Sequence, residues 1–91
     1  MVLHPGEIIN QKIKDRRISQ TQLAIALGTP QSRIQKILSG ERGITADTAI
    51  RLGRYFDTEP IYWLTLQAEY EIAELARTGK KAAIENMVRM P

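Results

Sequence analysis

Cysteine is absent from the chain's 91 residues, so no disulfide staples the fold and no thiolate is at hand for catalysis or zinc. Histidine occurs once, at His4. Without a second imidazole or any thiolate, neither a transition-metal site nor a cofactor is expected. The carboxylates Glu69, Glu71 and Glu74 fall on a stretch that also needs apolar packing, and nothing pairs them with a nucleophile or a basic clamp. The chain is therefore not expected to be an enzyme. No apolar run approaches the roughly 18 residues of a membrane span, and no signal-peptide pattern opens the sequence. One soluble, cytoplasmic domain with a single modest core is expected.

Acidic charge is scarce where it matters most. Residues 1–56 carry nine Lys/Arg against four Asp/Glu, whereas residues 57–91 carry four against six. The first part suits a polyanion; the second suits water or a basic partner. Between Gln20 and Ser39 there is no acidic residue at all.

What is present is helical periodicity, with Gly and Pro at segment ends. The reading is an all-α domain of five helices over residues 1–77, followed by a tail over 78–91. A first helix is expected from about Pro5 to Arg16, its apolar side formed by Ile8, Ile9 and Ile13. Lys12, Lys14, Arg16 and Arg17 crowd its end, where cations complement the helix dipole. Ser19 and Gln22 form a capping box for a second helix that stops at Gly28. Thr29 is expected to cap a third, with Pro30 at its first position. Thr45 is expected to cap a fourth, about Ala46 to Phe56, whose inward stripe is Ala49, Leu52, Gly53 and Phe56. Asp47 and Arg51 are spaced to pair across one turn of it. A fifth helix runs from near Pro60 to about Arg77. In the tail, Ile84, Met87 and Val88 allow a short helix, but a frayed end is the stronger expectation.

The segment Gln20–Ser39 meets the requirements of a helix-turn-helix. Ala24 is small at the close helix crossing, Gly28 suits a turn at positive φ, and Ile34 and Ile37 pack the later helix on the earlier one. With Ile34 inward, Ser32, Lys36 and Ser39 turn outward, Arg33 and Gln35 flank them, and Gln31 projects from the first turn. Arg and Lys match guanine O6/N7, Gln matches adenine N6/N7, and Ser matches several base edges. Gln31, Ser32, Arg33, Gln35 and Lys36 are therefore the expected readers of double-stranded DNA. Gln20, Arg42, Gly43 and Thr45 are the expected phosphate contacts, through helix N-termini and the Gly40–Gly43 loop.

The fifth helix carries two apolar stripes. Ile61, Leu64, Ala68, Ile72 and Leu75 share one side; Trp63, Leu66, Tyr70 and Ala73 share nearly the opposite one. A domain this small needs only one stripe for its core, so the other is expected to form a homodimer that reads a palindromic operator.

The helix-turn-helix resembles the phage-repressor type, with Gln20 and Gln31 where that type places a glutamine at the start of each motif helix. A narrower resemblance, to the HigA/VapI group of antitoxins from bacterial toxin–antitoxin modules, rests on several motifs. They are His4-Pro5-Gly6-Glu7, Pro30 with Arg33-Ile34, Gly43-Ile44-Thr45-Ala46-Asp47-Thr48-Ala49, Arg51-Leu52, Tyr62-Trp63-Leu64-Thr65-Leu66-Gln67 and Tyr70. The likeness spans about residues 4–73 and departs from the group at Tyr62 and Thr65, where Phe and Asn are usual. It implies a dimeric repressor of its own operon, partnered by a small basic, RelE-like, mRNA-cleaving toxin. The residues alone leave open a stand-alone regulator without a toxin, or an interaction domain that uses the fold without DNA.

Overall fold

Helix boundaries follow from local chemistry at nearly every end. In the computed structural model, which describes residues 2–90, six helices succeed one another with no strand among the described residues. They are α1 (Pro5–Asp15), α2 (Gln20–Leu27), α3 (Gln31–Leu38), α4 (Ala46–Phe56), α5 (Pro60–Arg77) and α6 (Lys80–Met87). Met1 and Pro91, the outer ends of the expected domain and tail, lie outside the described residues.

Six helices rather than five is the first correction. The stretch expected to fray forms α6, which packs on α5 alone and buries none of its residues. Gly79 at φ 81° reverses the chain there, and a Lys81–Glu85 pair at 3.1 Å spans one turn of the new helix. The second correction concerns α3. Its N-cap is Pro30, not Thr29, whose buried hydroxyl has no hydrogen-bond partner. Thr29 is committed to the preceding helix: its N–H donates to Ala24 O at 3.0 Å, while the Gly28 N–H donates to Ile25 O. That pair of bonds is a Schellman ending with Gly28 in the left-handed conformation, so the turn is closed before α3 begins.

The same ending closes α1 and α4 without glycine. Arg17 and Asp57 both stand at φ 57°, and the following amides, Ile18 and Thr58, reach back to Ile13 O and Gly53 O. The core between the helices is aliphatic. Ile9, Ile13, Leu23, Ala24, Leu27, Ile34, Ile37, Leu38, Ile44, Ala49 and Leu52 surround Phe56 and Trp63. Lys12 and Arg16 lie over the Phe56 ring, at 5.6 and 4.8 Å from its centroid, so part of the basic end of α1 covers the core rather than facing solvent freely.

The chain start is built into this core. Gly6 meets the backbone of α3 so closely that a Cβ there would lie 2.1 Å from Ile37 O. His4 caps α1, its Nδ1 accepting from the Gly6 N–H at 2.9 Å, and its ring stands edge-on to Tyr70 of α5 at 4.8 Å. Burial holds the imidazole below its ordinary pKa of 6.5, against an upward pull from Glu7. Protonation would also destroy the acceptor. Because the folded-state pKa is depressed, stability is fully present above about pH 6.5 and is lost as pH falls through the folded value. Urea unfolding at about pH 7.5 and about pH 5 is expected to show a lower midpoint in acid. His4→Asn, which keeps a capping acceptor without the titration, is expected to narrow that difference; an equal difference in both proteins would rule out His4 as its source.

Candidate nucleic-acid interface

Two short helices separated by Gly28, Thr29 and Pro30 present α3 on the surface. Ile34, Ile37 and Leu38 are buried beneath it, while Gln31, Ser32, Gln35 and Lys36 are exposed on its outer face. Ser39 is also exposed, but its hydroxyl turns back to donate to Lys36 O at 3.0 Å. The α2 N-terminus is capped, with Gln20 left out of the cap. Ser19 Oγ accepts from the Gln22 N–H and Gln22 Oε1 accepts from the Ser19 N–H, and neither bond uses Gln20, which is exposed.

Arg33 is placed differently from its neighbours. Its side chain is 31% exposed, and Nη1 lies 3.6 Å from Asp47 Oδ1 at the start of α4. Arg51 Nε donates to that same oxygen at 2.7 Å, and Arg51 Nη1 donates to Leu27 O and Gly28 O at the end of α2. The expected Asp47–Arg51 pair is thus one part of a network across α2, α3 and α4. Arg51 satisfies carbonyls that the end of α2 leaves without helical partners. Hydrogen bonding and charge from Arg51, with a further contribution from Arg33, hold the Asp47 carboxyl below its ordinary range.

The loop after α3 is less open than its glycines imply. The Gly40, Glu41 and Arg42 amides all donate to carbonyls of Lys36 or Ile37, closing the helix. The Arg42 side chain remains exposed. Gly43 is half-buried, and a Cβ there would lie 2.7 Å from Gln67 Nε2. Gln67 is itself buried and its Oε1 accepts from the Ile44 N–H at 2.9 Å, so α5 fixes the loop that leads into α4. Thr45 Oγ1 accepts from the Thr48 N–H as the α4 cap. Gly43 and Thr45 therefore both have a structural task beside the phosphate contact expected of them. No group of three or more His, Cys, Asp or Glu among the described residues is placed to hold a metal ion.

On α5, Trp63 is fully buried and hydrogen-bonded from Nε1 to Thr58 Oγ1 at 2.8 Å. Leu66, Tyr70 and Ala73 on its side are half-buried. On the other side Leu64 packs against the core edge, but Ile61, Ala68, Ile72 and Leu75 are exposed, Ile61 at 64% and Ile72 at 54%. The Trp63 stripe is the one that docks on the core.

Comparison with known proteins places this architecture. The pattern of the helix-turn-helix family matches residues 9–64. The addiction module antidote protein of the HigA family from Coxiella burnetii superposes with a TM-score of 0.85 at 43% identity, over 99% of this chain and 98% of that one. The chain belongs to the HigA family of helix-turn-helix antitoxins. Virulence-associated protein I of Dichelobacter nodosus is 45% identical over 81 residues, which span 88% of this chain and 74% of that protein. A Pseudomonas aeruginosa protein solved with its 28-base-pair operator DNA matches with a TM-score of 0.88 at 39% identity over the whole of both chains.

In this HigA-family chain, the motifs that carry the resemblance prove to be largely architectural. His4 caps, Gly6 admits the α3 backbone, Gly43 admits Gln67, and Trp63 fills the core. Gln67 and the reach of Arg51 to α2 were not singled out from the sequence as functional positions. The one available signal was their place in the recurring Gly43–Leu52 and Tyr62–Gln67 motifs.

Proposed function

We propose that the chain is a sequence-specific DNA-binding antitoxin that represses its own operon as a dimer and neutralises a RelE-like, mRNA-cleaving toxin. The observation that carries the DNA reading is the outer face of α3. It presents Gln31, Ser32, Gln35 and Lys36 to solvent with Arg33 beside them, with no acidic residue between Gln20 and Ser39. The exposed Gln20 at the start of α2 and the exposed Arg42 flank it, as phosphate anchors must to fix register on a duplex. Relatives solved with operator DNA support a DNA-binding role, and a helix-turn-helix places its second helix in the major groove, which here is α3.

The exposed stripe Ile61, Ala68, Ile72 and Leu75 supports dimerisation, since covering it with a second copy removes apolar surface from water. The toxin partner is supported by the HigA antitoxin relatives and by the acidic balance of residues 57–91. Footprinting of the DNA upstream of the gene across a salt series tests the first claim. Protection of a palindrome, weakening steeply with salt, is expected; equal binding to a scrambled duplex overturns it. Sedimentation at micromolar concentration is expected to show a dimer, and monomer alone with and without operator would remove that claim. Co-purification with a small basic protein encoded beside the gene is expected of the antitoxin, and its absence favours a stand-alone regulator.

A further inference from the structure

Glu41 and Asp47 are the only carboxylates between Gln20 and Phe56, and of the two Asp47 pairs with a side chain of α3. Its position is an unusual one for a surface that meets phosphates. A carboxylate at the start of α4 favours the helix dipole but repels the DNA backbone. The contacts show what it offers in return. Arg51, itself anchored on Leu27 O and Gly28 O, holds the Asp47 oxygen at 2.7 Å, and that fixed oxygen faces Arg33 at 3.6 Å. The inner bond is short and hydrogen-bonded; the outer contact is an ion pair without a hydrogen bond. Arg33 is therefore held loosely by a carboxylate that is held firmly.

We infer that Asp47 is a positioning and specificity residue for DNA recognition, restraining Arg33 so that it engages a guanine edge but not phosphates at large. The inference rests on the DNA-binding reading above. A free arginine on α3 would neutralise any phosphate within reach, which strengthens binding to every sequence equally. An arginine whose charge is already partly answered by Asp47 gains little from a single phosphate oxygen. The bidentate O6/N7 pair of guanine offers two aligned acceptors and competes successfully. With Asp47 exposed and no hydrogen bond at 3.6 Å, the Asp47–Arg33 pair is weak enough to yield to that competitor. Asp47 thus lowers affinity for wrong sites more than for the right one.

The test is a double-mutant cycle on fluorescence anisotropy, comparing the footprinted promoter duplex with a scrambled duplex of equal length. Asp47→Asn is expected to strengthen scrambled-duplex binding and to reduce the promoter-to-scrambled affinity ratio by about fivefold. Its salt slope on scrambled DNA is expected to steepen by about 0.9, one further phosphate neutralised. In the Arg33→Ala background, Asp47→Asn is expected to leave the ratio unchanged. Thermal melting of each variant checks that the fold is retained. If Asp47→Asn raises both affinities by one common factor, or changes the ratio equally with and without Arg33, Asp47 acts as a plain charge and the inference fails. If wild type itself shows no promoter preference, it is the DNA-binding reading that fails.

Discussion

Trp63→Ala is expected to remove about 3–5 kcal/mol of stability, the usual cost of truncating a fully buried aromatic side chain. Trp63 has no exposed surface, packs on Phe56 with ring centroids 5.9 Å apart, and fixes the α4–α5 corner through its bond to Thr58. A single domain of this length holds a margin of roughly 5–14 kcal/mol, so the loss takes a large share of it. Urea unfolding followed by circular dichroism measures it. Trp63→Phe, which keeps most of the volume and loses the hydrogen bond, is expected to lose less. A midpoint for Trp63→Ala within experimental error of wild type would show that the α4–α5 corner is held by other contacts.

Gln31→Ala combined with Lys36→Ala is expected to cut sequence preference sharply while leaving the melting curve nearly unchanged. Both side chains are exposed and neither makes a side-chain hydrogen bond or ion pair in the fold, so their removal costs the domain little. A well-formed bidentate base contact discriminates by about 1–3 kcal/mol, so two of them correspond to roughly a thirtyfold to twenty-thousandfold loss of preference. Residual binding to any duplex is expected to persist through Gln20, Arg42 and the α2 N-terminus, and to stay strongly salt-dependent. An intact footprint from the double variant would show that α3 is not the reading helix.

What the sequence disclosed, and what it withheld, divides by range. The Ser19–Gln22 capping box, the Gly28 turn, the bounds of α4 and the pairing of Asp47 with Arg51 all depend on residues a few positions apart, and each was legible. The left-handed endings at Arg17 and Asp57 were not, because Arg gives no signal of positive φ and Asp, though it tolerates that region, is far commoner at caps and in turns. Thr29 looked like a cap because its side chain suits one; its backbone was already engaged by α2. The two stripes of α5 were legible, but which one met the core depended on how the left-handed turn at Asp57, after Phe56, directs the helix. Among the candidate readers, Gln31, Ser32, Gln35 and Lys36 stand on the exposed face expected for them. Arg33 lies half-buried beside them, and its tie to Asp47 crosses 14 positions and two helices, with no local pattern to announce it. Gln67 under Gly43 is the same kind of contact, at a still longer reach.

The way α5 leaves the core has a consequence for how such proteins diversify. Its first turns are anchored by Trp63 and Gln67, and beyond Gln67 no residue of α5 or α6 is buried. The helix-turn-helix pattern ends at residue 64, beside that same point of departure. Beyond Tyr70, which meets the His4 ring, substitutions in residues 68–90 thus meet fewer packing constraints than those in 9–67, and this arm is free to diverge in sequence while the core is held.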